Sequence, residues 1–246
     1  MRIGTRTFSD GVVEYRFTHG DVPGVLWRPT GPMRYGRPLV LLGHGGGQHK
    51  LAPGLVERAR RFVADAGFTA VALDAPGHGE RPRTAADERF VGEIAELQAA
   101  GRPISAWVAR HTAAVAERAV PEWIAVLDTL AEELEGRGPI GYWGLSLGSV
   151  IGIPLAAAEP RIGAAVFGLT GHESQTEPAA RVTAPLDFLV QWDDALVPRA
   201  WALGVYDAFG SPDRTLHANP GGHGDVPERQ LAAAEGSLRR RLLGEE

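Results

Sequence analysis

Short, mostly apolar runs alternate along this chain with longer stretches in which apolar residues recur every three or four positions. The runs have the length of buried parallel strands, and they occupy 38–42, 69–73, 140–143, 164–167 and 186–190. Three β-like segments precede them at 2–8, 12–18 and 24–28, and a last short one lies near 214–217. Helical spacing dominates between the runs, for example at 52–66 and 230–243. Strands that alternate with helices predict an α/β domain with a mostly parallel sheet and helices on both faces.

One connection is too long for a single crossover helix, since 65 residues separate Asp74 from Ile140. Its pattern predicts helices at 87–100, 105–119 and 122–134, with a break before Pro121. The residues in excess of one crossover helix, at about 82–118, predict a small helical lid over a binding site. The alternative is a surface helix pair with no role in binding. We therefore expect one domain over 1–246 with a lid inserted into it.

The stretch Gly144-Leu145-Ser146-Leu147-Gly148 follows a predicted strand and precedes a predicted helix. Its G-x-S-x-G pattern is typical of a nucleophile elbow, a sharp turn that exposes the serine hydroxyl above the sheet. The next amide, of Leu147, would lie at a helix N-terminus and could stabilise an oxyanion. The alternative is an ordinary serine in a tight turn.

A serine nucleophile needs a base, and the base needs an acid that orients it. His223 is the favoured base because it lies in a glycine-rich loop between the last strand and the last helix; His172 is its main rival. The acid is expected after a late strand, where Asp193 and Asp194 are adjacent, and the following Val-Pro favours Asp194. Asp193 would be a solvated neighbour or a helix N-cap. The chain order Ser146, Asp194, His223 matches one known triad arrangement.

The motif His44-Gly45-Gly46-Gly47 follows the predicted strand at 38–42 and resembles the oxyanion motif of lipases and esterases. The Gly46 amide would join that of Leu147 in the oxyanion hole. His44 itself is expected to have a structural role. A phosphate-binding loop is the alternative, but no Gly-Lys-Ser/Thr follows and the spacing is not G-x-G-x-x-G.

Together with the Asp-x-Pro-Gly-His-Gly turn at 74–79, these motifs resemble the α/β-hydrolase superfamily over nearly the whole chain. The resemblance is greatest to the branch of dienelactone-hydrolase-like proteins and small bacterial esterases. It implies a sheet of the eight-stranded type and a serine hydrolase that needs no cofactor. The chain departs from dienelactone hydrolases in having Ser146 in place of a nucleophilic cysteine, and Gln191 in place of a glycine before the acid. A serine nucleophile also disfavours dehalogenases and epoxide hydrolases, which use a carboxylate.

Composition narrows the class of partner. The net charge is −5, and no basic patch suggests a nucleic acid. The absence of cysteine excludes disulfides and thiolate chemistry. Asp74 and His78 lack further metal ligands, so no metal is expected. The N-terminus has no apolar signal segment and no run approaches a membrane span, so a cytoplasmic protein is expected.

The sequence thus predicts a serine hydrolase that cleaves small to medium-sized carboxylic esters through an acyl-enzyme. Trp143, Trp192 and Trp107 are candidate walls of the substrate pocket, as is Trp201; the alternative is that they fill the core. Thioester, lactone or short-peptide hydrolysis would use the same triad. A non-catalytic binding protein with this fold is the alternative outside enzymes.

Overall fold

The computed structural model describes residues 1–32, 36–133 and 138–245. Within these ranges nine strands form one sheet: β1 (Arg2–Ser9), β2 (Val12–His19), β3 (Val22–Pro29), β4 (Leu39–Gly43), β5 (Thr69–Leu73), β6 (Ile140–Gly144), β7 (Ile162–Gly168), β8 (Leu186–Gln191) and β9 (Arg214–Asn219). Seven α-helices accompany them: α1 (Pro53–Ala64), α2 (Ala85–Ala99), α3 (Ser105–Glu133), α4 (Leu147–Ala158), α5 (Thr176–Arg181), α6 (Arg199–Ala208) and α7 (Glu228–Leu243). A one-turn 3₁₀ helix, Glu173–Gln175, precedes α5.

The strand order is β1-β2-β3-β5-β4-β6-β7-β8-β9. The first three strands run antiparallel to their neighbours, and all pairs from β5 to β9 are parallel. The predicted α/β-hydrolase fold is confirmed, with one strand more among the described residues than the eight expected. All the parallel strands end at the same edge of the sheet, so the loops that follow β4, β6, β8 and β9 meet there.

The core has two layers, one on each face of the sheet. Helices α1 and α7 pack on one face, and α3, α4, α5 and α6 pack on the other. Neighbouring residues of a strand point to opposite faces. Tyr142 of β6 therefore lies in the layer under α3 and α4, whereas Trp143 lies in the layer under α1 and α7.

The predicted break before Pro121 is wrong, because α3 continues through this proline to Glu133. Proline inside a helix removes one hydrogen bond and costs about 3 kcal/mol. The turns after Pro121 bury Trp123, Leu127 and Leu130 almost completely against the sheet. Burying such side chains contributes about 1.5–3 kcal/mol each, so packing outweighs the cost of the proline. Residue 134, the end of the predicted third helix, lies outside the described residues.

None of the helices in the described ranges combines the length and apolar character needed to cross a lipid bilayer.

Candidate active site

Ser146 lies at a sharp turn between β6 and α4, with φ 57° and ψ −121°, a backbone conformation that is strained for a residue with a side chain. The glycines of the motif make this turn sterically possible. A Cβ atom on Gly148 would lie 2.7 Å from the carbonyl oxygen of Gly43, and one on Gly144 would lie 2.7 Å from the backbone of Gly148. The neighbouring backbones thus leave no room for a side chain at positions 144 and 148.

Two buried hydroxyl groups brace this turn, and the sequence patterns did not reveal them. Tyr142 donates a hydrogen bond of 2.6 Å to the carbonyl of Gly148, and burial raises the pKa of its phenol. Ser149 Oγ lies 2.6 Å from the carbonyl oxygen of Gly144 and accepts a bond of 2.8 Å from the amide of Gly168. The one available signal was Ser149 itself, a polar residue in an otherwise apolar helix start. The turn is therefore tied to both β6 and β7.

The structure brings the three predicted triad residues into one hydrogen-bonded chain. His223 Nε2 lies 2.9 Å from Ser146 Oγ, and His223 Nδ1 lies 2.7 Å from Asp194 Oδ2. The second carboxylate oxygen of Asp194 accepts bonds from the amides of Leu196 and Val197, at 2.8 and 2.9 Å. A carboxylate so placed accepts the Nδ1 proton of the neutral imidazole. That tautomer leaves His223 Nε2 as an acceptor facing the serine hydroxyl.

The loops that carry the acid and the histidine are bonded directly to each other. Asp193 is exposed, as predicted for a solvated neighbour, and it also accepts a bond of 2.9 Å from the amide of Gly221. It is not an N-cap. Helix α6 begins after Pro198 without a side-chain cap. Gln191 donates to the carbonyls of Pro220 and Gly222, both at 3.3 Å. The residue that departs from the dienelactone-hydrolase pattern therefore holds the histidine loop against the end of β8.

His172, the rival base, makes no hydrogen bond to Ser146. Its Nδ1 instead lies 3.2 Å from the amide of Ser174 and 3.0 Å from the hydroxyl of the same residue. A backbone amide only donates, so Nδ1 is the acceptor and the proton of the neutral ring lies on Nε2. His172 still lines the cavity that contains Ser146.

The candidate oxyanion donors occupy different environments. Leu147 is the first residue of α4, where its amide has no acceptor within the helix. Gly46 is exposed and lies in the turn that the Gln48 amide closes by donating to Gly45. His44 braces the base of this loop, since its Nδ1 bonds the carbonyl of Gly45 and its Nε2 accepts from the amide of Ala75. Burial lowers the pKa of His44 to about 4.

The turn after β5 is organised around the carboxylate of Asp74. Lys50 Nζ donates to it at 2.6 Å, and the amide of Glu80 donates at 3.0 Å. Burial alone would raise the pKa of Asp74, but these bonds hold it below its ordinary value. No group of three or more potential metal ligands is found within the described residues. The bonds from Lys50 and Glu80 make Asp74 a structural anchor for the loop at 74–80.

A cavity that is partly open to solvent lies beside Ser146; its empty space is about 440 Å³ when the open solvent at its mouth is included. Its apolar lining includes Val108 and Ala109 of α3, Leu196 and Val197 after β8, and Trp201 of α6. Its polar lining includes residues of the segment after β7 and of the start of α3. The predicted insertion thus contributes the first turns of α3 to this cavity.

The structure places the three preferred tryptophans away from this cavity. Trp143 is buried on the opposite face of the sheet, under the guanidinium of Arg58. Trp192 is half-buried after β8, packs against the core, and lies under the guanidinium of Arg199. Trp107 is partly exposed on α3 and bonds Glu93 of α2. Bulk and proximity in sequence suggested these residues, but the direction of each side chain depends on the packing of the sheet and of α3.

A serine on a strand–turn–helix elbow, paired with a histidine and an acid from later loops of one parallel sheet, defines the class of α/β-hydrolases. The chain is 33% identical to a cold-adapted esterase from an Arctic intertidal metagenomic library, with 97% of both chains covered and a TM-score of 0.78. This chain belongs to the α/β-hydrolase family.

More distant structures share the fold alone. An acetyl xylan esterase from Paenibacillus sp. R4 is 15% identical, with all of this chain and 88% of the other covered and a TM-score of 0.69. A dienelactone hydrolase from Anabaena variabilis is 20% identical, with 96% and 99% of the two chains covered and a TM-score of 0.65. No protein-family model matches the sequence. A search of curated proteins gives no match either.

Proposed function

We propose that this protein is a carboxylesterase-like serine hydrolase in which Ser146 is the nucleophile, His223 the general base and Asp194 the orienting acid. The observation that carries the proposal is the pair of hydrogen bonds, of 2.9 and 2.7 Å, that link the three side chains. The 33% identity to an esterase over 97% of the chain supports ester hydrolysis as the reaction.

The geometry supports a two-step reaction. Ser146 Oγ attacks the acyl carbon of the ester while its proton passes to His223 Nε2, and Asp194 stabilises the imidazolium through Nδ1. His223 then returns the proton to the alcohol oxygen, and the carbon–oxygen bond breaks. Water enters, gives a proton to His223 and attacks the acyl-enzyme. The acid leaves, and Ser146 regains its proton.

The negative charge on the acyl oxygen in each step requires hydrogen-bond donors. We assign this role to the amides of Leu147 and Gly46. The position of Leu147 at the start of α4 supports the first assignment, because the helix N-terminus presents an unused N–H and a favourable dipole. Loss of one such donor typically lowers kcat by about 10²–10³-fold.

We also propose that the insertion at 82–118 acts as a lid. Residues Val108, Ala109 and Thr112 of α3 line the cavity, whereas α2 lies outside α3 with most of its residues exposed. Helix α2 is anchored at its start, where buried Asp87 caps the helix through Thr84. Beyond that it contacts α3 through Phe90, which stacks on His111, and through Glu93, which accepts a bond from Trp107. Such sparse packing is typical of elements that move.

The decisive experiment measures hydrolysis of p-nitrophenyl esters from acetate to decanoate by the wild type and by Ser146→Ala. We expect the wild type to turn over the short esters and Ser146→Ala to lose about 10⁴-fold or more in kcat. Ser237→Ala is a matched control, since Ser237 bonds a different aspartate, Asp187, and lies on α7. A fluorophosphonate probe should label the wild type and not Ser146→Ala. Equal turnover by wild type and Ser146→Ala would refute the assignment of the nucleophile.

A further inference from the structure

The segment after β7 places an unpaired polar side chain in the wall of the cavity. Gln175 is only 4% exposed and lines the cavity together with Ser146. Its Oε1 atom is buried and has no hydrogen-bond partner within the described residues. A buried carbonyl oxygen without a partner costs free energy, so such atoms are rare in folded proteins and require an explanation.

Two neighbours of Gln175 in this wall also have unused hydrogen-bonding capacity. Thr170 is 4% exposed, and its hydroxyl bonds no other described residue. His172 uses Nδ1 to accept from Ser174, which leaves the Nε2 proton without an acceptor among the described residues. We call Thr170, His172 and Gln175 the polar wall. The same cavity is also lined by apolar side chains of α3 and of the loop after β8, and the His172 ring contacts Trp201.

The chemistry of the polar wall limits what it can bind. Thr170 and the carboxamide of Gln175 each donate and accept, and the neutral His172 ring donates from Nε2. No lysine, arginine, aspartate or glutamate lines the cavity among the described residues, so nothing there neutralises an ionic substrate group. A hydroxyl group, which both donates and accepts and has no charge, satisfies this set.

We propose that the polar wall binds a hydroxyl group of the substrate, with Gln175 as a specificity-determining residue, and that the preferred substrates are uncharged hydroxylated esters. This inference rests on the proposed ester hydrolysis. The hydroxyl group belongs either to the acyl part or to the alcohol part of the ester. In either position it presents the same donor and acceptor to the polar wall. A site built to hydrogen-bond a hydroxyl discriminates against the analogue without it, because the buried polar groups are then left unpaired.

The test compares esters that differ by one hydroxyl, with hydrolysis followed by acid release. Ethyl 3-hydroxybutyrate against ethyl butyrate examines the acyl part, and 3-hydroxybutyl acetate against butyl acetate examines the alcohol part. We expect the wild type to favour the hydroxylated ester in one pair by about ten-fold in kcat/KM, the effect of one net hydrogen bond. The pair that shows the preference identifies the source of the hydroxyl.

Gln175→Met is the first variant, because methionine keeps the length of the side chain and removes both polar atoms. We expect the preference for the hydroxylated ester to fall to near one, without a lower melting temperature, since the variant removes an unpaired buried oxygen. Thr215→Val, at an exposed position of β9 outside the cavity, is the control and should keep the wild-type preference. Thr170→Val, which removes a second group of the polar wall, should also reduce the preference.

The outcomes separate this inference from the proposed function. If the wild type hydrolyses both members of each pair equally well, the inference is wrong while ester hydrolysis stands. The inference is also wrong if Gln175→Met keeps the wild-type preference for the hydroxylated ester, whether or not the variant loses stability. If no ester is hydrolysed and a fluorophosphonate does not label Ser146, the proposed function fails and the inference fails with it.

Discussion

Strands β8 and β9 carry two Asp–His pairs of nearly equal length, and only one of them contacts the proposed nucleophile. Within the strands, Asp187 Oδ1 lies 2.6 Å from His217 Nε2. Just beyond their ends, Asp194 Oδ2 lies 2.7 Å from His223 Nδ1. Both aspartate side chains are only 3% exposed, so burial does not distinguish the two pairs.

The difference lies in the second nitrogen of each imidazole. His217 Nδ1 accepts a bond of 2.7 Å from the side-chain amide of Gln230, whose N–H group is too weakly acidic to become a nucleophile. His223 Nε2 lies 2.9 Å from the hydroxyl of Ser146. The first pair also has a serine, but Ser237 donates to Asp187 and not to the histidine. An Asp–His pair thus becomes a candidate base only where the free nitrogen faces an ionisable hydroxyl.

The largest expected effect compares the same substitution in the two pairs. Asp194→Asn removes the acceptor for the Nδ1 proton and favours the wrong tautomer of His223, so we expect kcat to fall about 10⁴-fold. Asp187→Asn should leave kcat within a few-fold of the wild type, because its histidine does not contact Ser146. The measurement is kcat for a short p-nitrophenyl ester, at a temperature well below the melting temperatures of both variants. A loss of similar size in Asp187→Asn would show that the two pairs do not differ in function as we infer.

A third histidine extends the comparison to the dependence of stability on pH. His44 uses both ring nitrogens for backbone bonds, and burial lowers its pKa to about 4. The unfolded chain takes up this proton near pH 6.5, whereas the folded protein does not until about pH 4. The contribution of His44 to stability is therefore fully present above about pH 6.5. It is lost as the pH falls to about 4, by about 3 kcal/mol in total.

Urea unfolding between pH 4 and 7.5 tests this expectation. His44→Asn should flatten the decline in the free energy of unfolding within that window. His49→Asn, at an exposed position in the same loop, is the control and should keep the wild-type slope. If His44→Asn retains the full slope, the folded protein protonates His44 as easily as the unfolded chain does.

A smaller effect concerns the contribution of the Asp187 pair to stability. Burial would raise the pKa of Asp187, but bonds from His217 and Ser237 and the charge of Arg241 hold it below 3.8. Its stabilising contribution is therefore complete above about pH 4 and is lost as the pH falls through the lowered pKa. We expect Asp187→Asn to cost about 2 kcal/mol at pH 7 and less at pH 3.

The control is Asp213→Asn, because Asp213 bonds the same arginine from an exposed position. An exposed ion pair contributes about 0–1 kcal/mol, so this variant should unfold close to the wild type at both pH values. If the two substitutions lower the free energy of unfolding equally at pH 7, Asp187 contributes no more to stability than an exposed partner of Arg241 does.

Much of the fold could be predicted because its signals are local. The parallel strands appear as apolar runs, since both faces of such a sheet are covered by helices. The break at Pro121 was predicted wrongly, because helix propensity is local whereas the burial of Trp123 and Leu127 is not. The direction of Trp143 was missed for a related reason. Alternation separates it from Tyr142, but only the assembled layers decide which face bears the cavity.

The sequence by itself determined the order of the elements and the sharp turn at Ser146, because apolar spacing and the need for glycine at close backbone contacts act over a few residues. It also nominated His223 and Asp194 by chain order. Only the tertiary structure decided which Asp–His pair lies against a serine hydroxyl, and that Gln175 Oε1 is buried without a hydrogen-bond partner among the described residues. Those facts depend on distances between residues far apart in sequence, and such distances are set by how the layers pack around the sheet.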